Sequence, residues 1–279
     1  MTISDKRRTG NPPIAAHKAI ATDLMLNRVN GIVEQVGSYL VIRTPSEPDY
    51  YFGNLLVLER RPSNADLARL ERDFARLVGT PPAIKHCTFM WPAAAGDDSP
   101  LDAFLRAGYV LNEDVALTAT ASDLVAPSPA TLPIVIRPYD SEADWADWYA
   151  MQMAENAAGT YPEDSYRKFL HGKEAIYRRL IADGRGDWWG AFIEDRQVAH
   201  LGLFFDGDIG RFQWVLTARE FRGKGICRAL VHHAARKGLE RVECLVMVAD
   251  EHYHAVRLYE SLGFKRKERV ASLCRHPMA

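Results

Sequence analysis

The stretch "FRGKGICRALV", residues Phe221–Val231, sets Gly223 and Gly225 directly ahead of an apolar-periodic run. Glycine in a helix costs about 1 kcal/mol relative to alanine, so two of them at a helix start need another reason. A glycine turn that opens a helix presents several backbone N–H groups pointing one way, and the positive end of the helix dipole adds to them. Absent side chains let a bulky anion approach, while Arg222 and Lys224 bring charge to phosphate oxygens. The stretch reads as a cradle for a phosphate or pyrophosphate. Two nucleotide patterns do not fit it. A P-loop needs G-x-x-x-x-G-K-[ST]. A dinucleotide fingerprint needs a third glycine where Arg228 stands, directly after a first parallel strand.

Working outward, three candidate strands precede the turn: "WWGAFIED", "QVAHLGLFFDG" and "GRFQWVLTA". Turns at Asp195-Arg196 and at Asp206 to Asp208 separate them. After the helix Gly225–Gly238 comes "ECLVMVAD" (Glu243–Asp250), a continuous apolar run with the pattern of a buried strand. "YHAVRLYESLGF" is then a short helix stopped by Gly263, followed by a last strand. Upstream lie a strand, "IVIRPY" (Ile134–Tyr139), and two helices, "SEADWADWYAMQMAEN" and "EDSYRKFLHGKEAIYRRLIADG". The order from Ile134 is β-α-α-β-β-β-α-β-α-β.

"APSPATLP" (Ala126–Pro133) carries three prolines in eight residues and has the composition of a linker. It divides residues 1–126 from residues 134–279, with 127–133 as the connection. The first part reads as a helix over Ile14–Val29, strands near Gly37–Thr44 and within Asp49–Glu59, and a helix over Pro62–Gly79 capped by Ser63 or Asn64. A strand (Ala83–Trp91), a short helix and another strand, "EDVALTATA", complete it. The basic run "DKRRTG" (Asp5–Gly10) reads as a frayed terminus.

The two parts repeat one another. "LDAFLRAGYVLNEDVAL" (Leu101–Leu117) aligns with "VRLYESLGFKRKERVAS" (Val256–Ser272) at an offset of 155 residues. Gly108 meets Gly263, Tyr109 meets Phe264, Phe104 meets Tyr259 and Val115 meets Val270. The first copy has nothing like Arg-Gly-Lys-Gly.

The 279 residues include 35 Lys plus Arg and 36 Asp plus Glu, which argues against a nucleic-acid protein held by bulk charge. Cys87, Cys227, Cys244 and Cys274 form no C-x-x-C pair, and no Cys/His cluster has metal-ligand spacing, so no metal is expected. With no apolar leader and no long apolar run, the chain reads as cytoplasmic, with no membrane partner.

At this point the residues resemble a known family. Arg222-Gly-Lys-Gly-Ile-Cys is similar to the R/Q-x-x-G-x-G/A signature of the GCN5-related N-acetyltransferases, the GNAT superfamily. "HAVRLYESLGF" (His254–Phe264) resembles that family's A-x-x-L-Y-x-x-x-G-F segment. The resemblance covers the C-terminal part, and the N-terminal part through the repeat. It implies an α/β mixed-sheet fold in two similar domains, the second catalytic and the first degenerate.

The resemblance further implies acetyl-CoA as co-substrate, lying where the strand "WVLT" splays from the strand Glu243–Asp250. Backbone groups of Val215, Leu216 and Thr217 would meet the pantetheine arm and the acetyl carbonyl. The amides of Arg222, Gly223, Lys224, Gly225, Ile226 and Cys227 would hold the pyrophosphate. Tyr259 would act as general acid to the leaving thiolate. Cys227 stands where relatives have Gly or Ala, and His252 where many have Asn; both are kept as cofactor contacts. The reaction implied is acetyl transfer to a primary amine by direct attack in a ternary complex. The acceptor is a small molecule or a peptide: an amino acid, a polyamine, an antibiotic, a peptide N-terminus and a lysine side chain all stay open. So do a homodimer, a longer acyl-CoA, and a non-catalytic acyl-CoA sensor or scaffold. A general base is expected because an amine of pKa near 10.4 is protonated at neutral pH. Asp206, Asp208, Glu163, Glu194 and His200 are the candidates by position. Tyr161 and the pair Trp188–Trp189 are further candidates for the acceptor side.

Overall fold

The computed structural model describes residues 14–94, 96–157 and 161–276; the basic run Asp5–Gly10 lies outside them. The N-terminal half contributes α1 (Lys18–Asn27), β1 (Ile32–Val36), β2 (Tyr39–Arg43), β3 (Leu55–Val57), α2 (Leu67–Leu77), β4 (Cys87–Ala93), α3 (Asp102–Arg106) and β5 (Val110–Ala119). The C-terminal half contributes β6 (Val135–Pro138), α4 (Glu142–Asn156), α5 (Glu163–Ala182), β7 (Gly186–Ile193), β8 (Arg196–Asp206), β9 (Ile209–Thr217), α6 (Ile226–Gly238), β10 (Cys244–Asp250), α7 (Ala255–Glu260) and β11 (Lys265–Arg275).

These strands form one continuous mixed sheet in the order β1-β2-β3-β4-β11-β5-β10-β9-β8-β7-β6. The two halves exchange their last strands. β11 enters the N-terminal half between β4 and β5, while β5 enters the C-terminal half between β10 and β11. Each half has one parallel pair, β3 with β4 and β9 with β10. The pairing of β5 with β11 sets Asp114 opposite Val270 and Val115 opposite Arg269. The 155-residue offset of the repeat maps Asp114 onto Arg269 and Val115 onto Val270, so a local two-fold passes between these residues.

Four apolar clusters hold the layers. On one face, α6 and α7 pack on the C-terminal half through Ile226, Leu230, Val256, Tyr259 and Leu262. On the same side of the other half, α2 and α3 pack through Leu70, Phe74 and Phe104. Opposite them, α1 lays Ala19, Ile20 and Leu24 over the seam, touching strands of both halves through Leu55, Met90, Ala116, Val246 and Val270. A group of aromatics, Trp145, Trp148, Tyr177, Trp188 and Phe204, binds α4 and α5 to the sheet. Trp188 is therefore core, whereas Trp189 is half-buried beside His233.

The elements expected from periodicity are present, with one addition. β1 precedes β2 in a tight hairpin, where Val36 faces Tyr39 across Gly37 at φ +60°. Its five residues include Glu34 and Gln35, which dilute the apolar alternation of an edge strand. No helix among the described residues is long and apolar enough to cross a membrane.

Candidate active site

β9 and β10 pair only at Ile209–Cys244, Gly210–Leu245 and Arg211–Val246, and beyond that point they part. A bulge in β9 accompanies the parting. Its register against β8 shifts between His200 and Gly202, and Trp214 takes φ +47°. A bulky residue at positive φ is a true outlier that surrounding packing must hold. Here the Trp214 indole lies 5.9 Å from the Trp148 ring and 5.8 Å from that of Phe169. The fork leaves Val215, Leu216 and Thr217 without a partner on the β10 side.

Past Thr217 the chain makes one turn of 3-10 helix, Arg219–Phe221, then the glycine turn, then α6. Among the described residues, none of the N–H groups from Gly223 to Arg228 donates to another protein group. Gly223 has φ +76° and is open on its Cβ side. Gly225, the residue before α6, has φ +78°, and a Cβ there would stand 3.2 Å from Cα of Ala130. Proximity of the linker thus explains Gly225 in part: Thr131 donates its N–H to the Lys224 carbonyl at 3.0 Å. Arg222 is engaged within the protein. Its Nε donates to the Thr217 carbonyl at 3.0 Å and its Nη2 pairs with Glu155 at 2.9 Å, so it ties the turn to the end of β9. Lys224 lies over the Phe221 ring at 5.1 Å.

The corresponding helix of the N-terminal half is closed by its own side chains. Ser63 and Asp66 form a reciprocal cap ahead of α2, and Asn64 accepts from the Ala103 N–H. The turn leading into α2 is thus capped by its own side chains, unlike the start of α6.

Tyr259, on α7, is buried against the α6 face with Cys227 as a neighbour. Burial, with smaller contributions from Cys227 and Tyr253, holds its phenol far above the usual value. Its hydroxyl has no hydrogen-bond partner among the described residues. Burial pushes the Cys227 thiol up to about 11, against smaller opposing effects from Thr217 and Arg228, so it stays a thiol at neutral pH. Thr217 Oγ1 is buried without a partner beside it. The first copy carries Phe104 in place of Tyr259. His252 stands elsewhere: it is exposed on the loop after β10, its N–H donates to Asp250, and it borders a separate hollow with Tyr253, Arg257 and Arg266.

On the opposite face of the fork lies a cavity of about 290 Å³ built from both halves. Asp23 of α1, Tyr50 and Asp114 of β5 come from the first, while Lys173 of α5, Arg211, Gln213 and Trp214 of β9 and Val248 of β10 come from the second. Arg211 pairs with Asp23 at 3.0 Å and donates to Thr22 Oγ1 at 2.6 Å, joining β9 to α1. Lys173 is 5% exposed, its Nζ 3.2 Å from the centre of the Tyr50 ring. Burial lowers its pKa to about 8. Burial, with Asp23 and Asp250 adding to it, raises Asp114 to about 6.

None of the five base candidates drawn from sequence position lines this cavity. Asp206, Asp208 and Glu194 are exposed at hairpin ends, and Glu163 is exposed and pairs with Arg167. His200 is fully buried, its pKa pressed down to about 3, with Gln152 at 3.4 Å. Tyr161 is 51% exposed and stacks on Tyr166. Sequence reasoning missed Asp23, Asp114, Lys173 and Arg211. A signal existed for Lys173, which sits on the buried stripe of α5 formed by Leu170, Ile176, Tyr177 and Leu180.

Residues 144–264 match the model of the acetyltransferase (GNAT) family. A mycothiol acetyltransferase of Thermobispora bispora is 30% identical over 192 residues, covering 62% of this chain and 61% of that protein. Among solved structures, a functionally unknown conserved protein from Staphylococcus epidermidis superposes with TM-score 0.72 at 15% identity, covering 90% of this chain and 96% of the other. A GCN5-related N-acetyltransferase from Kribbella flavida gives TM-score 0.61 at 15% identity, covering 94% and 95%. These two share the fold over nearly the whole chain. The family match spans the fork, the glycine turn and Tyr259, so the C-terminal half carries a domain of the GNAT acetyltransferase family.

Proposed function

We propose that the protein transfers an acetyl group from acetyl-CoA to a primary amine by direct attack in a ternary complex. The observation that carries this reading is the run of unpartnered N–H groups from Gly223 to Arg228, at the mouth of the fork between β9 and β10. Amides and helix dipole together bind a diphosphate without a metal or a dedicated lysine. The pantetheine arm then follows the free edge of β9 at Val215, Leu216 and Thr217, bringing the thioester into the fork. The cavity on the other face receives the amine.

The nitrogen lone pair attacks the thioester carbonyl carbon, a backbone N–H holds the oxyanion, and the carbon–sulfur bond breaks. Tyr259, kept protonated by burial, gives its proton to the departing thiolate and regains one from solvent or the nitrogen. One ammonium and one thioester yield one amide, one thiol and one proton. The relative named a mycothiol acetyltransferase supports the reaction class for this chain. The cytoplasm supplies acetyl-CoA and is the compartment in which we place the reaction.

Calorimetry with acetyl-CoA, followed by thiol release across a panel of amines, tests the proposal. Binding with transfer to at least one amine supports it. Absence of heat and of thermal stabilisation by acetyl-CoA overturns it, and binding without transfer to any amine leaves a sensor rather than an enzyme.

A further inference from the structure

Two charged side chains in the cavity have no partner, and they carry opposite signs. The Asp114 carboxylate and the Lys173 ammonium both line it. Among the described residues, neither makes an ion pair or a hydrogen bond. Arg211 and Asp23, the other two charges there, satisfy each other at 3.0 Å. Asp23 acts on both groups electrostatically, with Glu47 acting more strongly on Lys173 and Asp250 also acting on Asp114. Lys173 is 5% exposed, and its ammonium lies over the Tyr50 ring with Phe169 beyond it, attracted by Glu47 and Asp23 but hydrogen-bonded to neither, which is costly unless something else meets it.

The two groups stand on different walls. β5 pairs with β10, placing Asp114 opposite Asp250 and two residues along from Ala116, which faces Val248 at the fork. Lys173 belongs to α5, on the wall with Tyr50 and Phe169. An acceptor entering this space meets a carboxylate carried by β5 and a cation carried by α5.

We infer that the acceptor is a compact amine that also carries an acidic group, its nitrogen received by Asp114 and its anion by Lys173. This rests on the acetyl-transfer reading above and narrows the amine it uses. A cavity of about 290 Å³ suits an amino acid or a similarly small amino acid-like molecule. The ammonium gives one proton to the Asp114 carboxylate, leaving a neutral nitrogen to attack the thioester; the second nitrogen proton leaves as the amide forms. Asp114 comes from the N-terminal half and reaches the site only because β5 lies inside the C-terminal half's sheet. The half without a glycine turn thereby supplies a catalytic residue.

The test uses the full chain and three sets of acceptors: amino acids of rising length, the carboxamides of the same amino acids, and plain alkylamines. The expected result for the unmodified protein is a kcat/KM at least tenfold higher for the acids than for their carboxamides. Lys173→Met should erase that preference by raising KM for the acids, with the carboxamides changed less than threefold. Asp114→Asn should lower kcat for both. Equal rates for acids, carboxamides and alkylamines in the unmodified protein overturn the inference while leaving acetyl transfer standing. Transfer to no amine at all, despite acetyl-CoA binding, removes the enzymatic reading on which it rests. Because the comparison of acid with carboxamide needs no variant, a Lys173→Met protein that fails to fold does not rescue the inference.

Discussion

Asp114 of β5 lies directly opposite Val270 of β11, at the centre of the exchange that joins the two halves. Each of these strands is the last of its own half and an interior strand of the other. Residues 134–279 expressed alone therefore lose the strand between β10 and β11, opening two edges lined by Leu245, Met247, Val270 and Leu273. The expected outcome is an insoluble fragment, or one without a cooperative thermal transition, restored by co-expression with residues 1–126. A soluble fragment that melts cooperatively and binds acetyl-CoA would show that the exchange is dispensable.

Gly223 and Gly225 have the same backbone conformation and different surroundings. Alanine at Gly223 meets open space and bears only the left-handed backbone cost, about 1 kcal/mol; asparagine there should recover part of it. Alanine at Gly225 bears that cost and also presses on Ala130. Thermal unfolding should rank Gly225→Ala below Gly223→Ala in stability. Calorimetry should find acetyl-CoA affinity reduced in Gly223→Ala, whose methyl group projects from the open side of the turn. An unchanged affinity would move the diphosphate away from Gly223.

Tyr259→Phe removes a hydroxyl with no protein partner, so stability should change by less than about 1 kcal/mol. Loss of a proton donor to the thiolate should lower kcat about 100-fold or more, with the KM for acetyl-CoA within threefold. A kcat within threefold of the original enzyme would leave Tyr259 as a packing residue beside Phe264, 6.5 Å away between ring centres.

Two buried groups pull the pH dependence of stability in opposite directions. Asp114 is raised to about 6 from its ordinary value by burial, Asp23 and Asp250, with Arg211 opposing. The folded state thus holds its proton more tightly than the unfolded one, and ionisation costs stability as pH rises from about 4 through 6. Asp114→Asn should therefore stabilise the protein at pH 8, by about 1–2 kcal/mol, and the gain should vanish by pH 4. His200 is neutral in the fold down to about pH 3 because burial excludes its charge. The unfolded chain binds that proton below pH 6.5, so this term destabilises the fold as pH falls from there. Urea titrations at pH 4, 6 and 8 on both the original protein and Asp114→Asn measure the first effect free of the second. Identical stabilities at pH 8 would contradict the burial of Asp114.

Much of this protein was determined by its sequence alone, because the signals were local. The periodicity of Leu170, Ile176 and Leu180, the stop at Gly263 and the glycine turn at Gly223 act over a few residues, and each lies where its spacing places it. The 155-residue repeat likewise needed only the comparison of one stretch with another. Tertiary structure alone decided the rest. β5 and β11 have similar apolar character, so nothing within either strand states which neighbours it takes; non-local pairing settles that. Asp23, Asp114, Lys173 and Arg211 come from four elements with no fixed spacing, and only the exchanged sheet brings them to one cavity. Gly225 shows the division within a single residue: its positive φ belongs to the turn, whereas the approach of Ala130 belongs to the path of a linker 95 residues earlier.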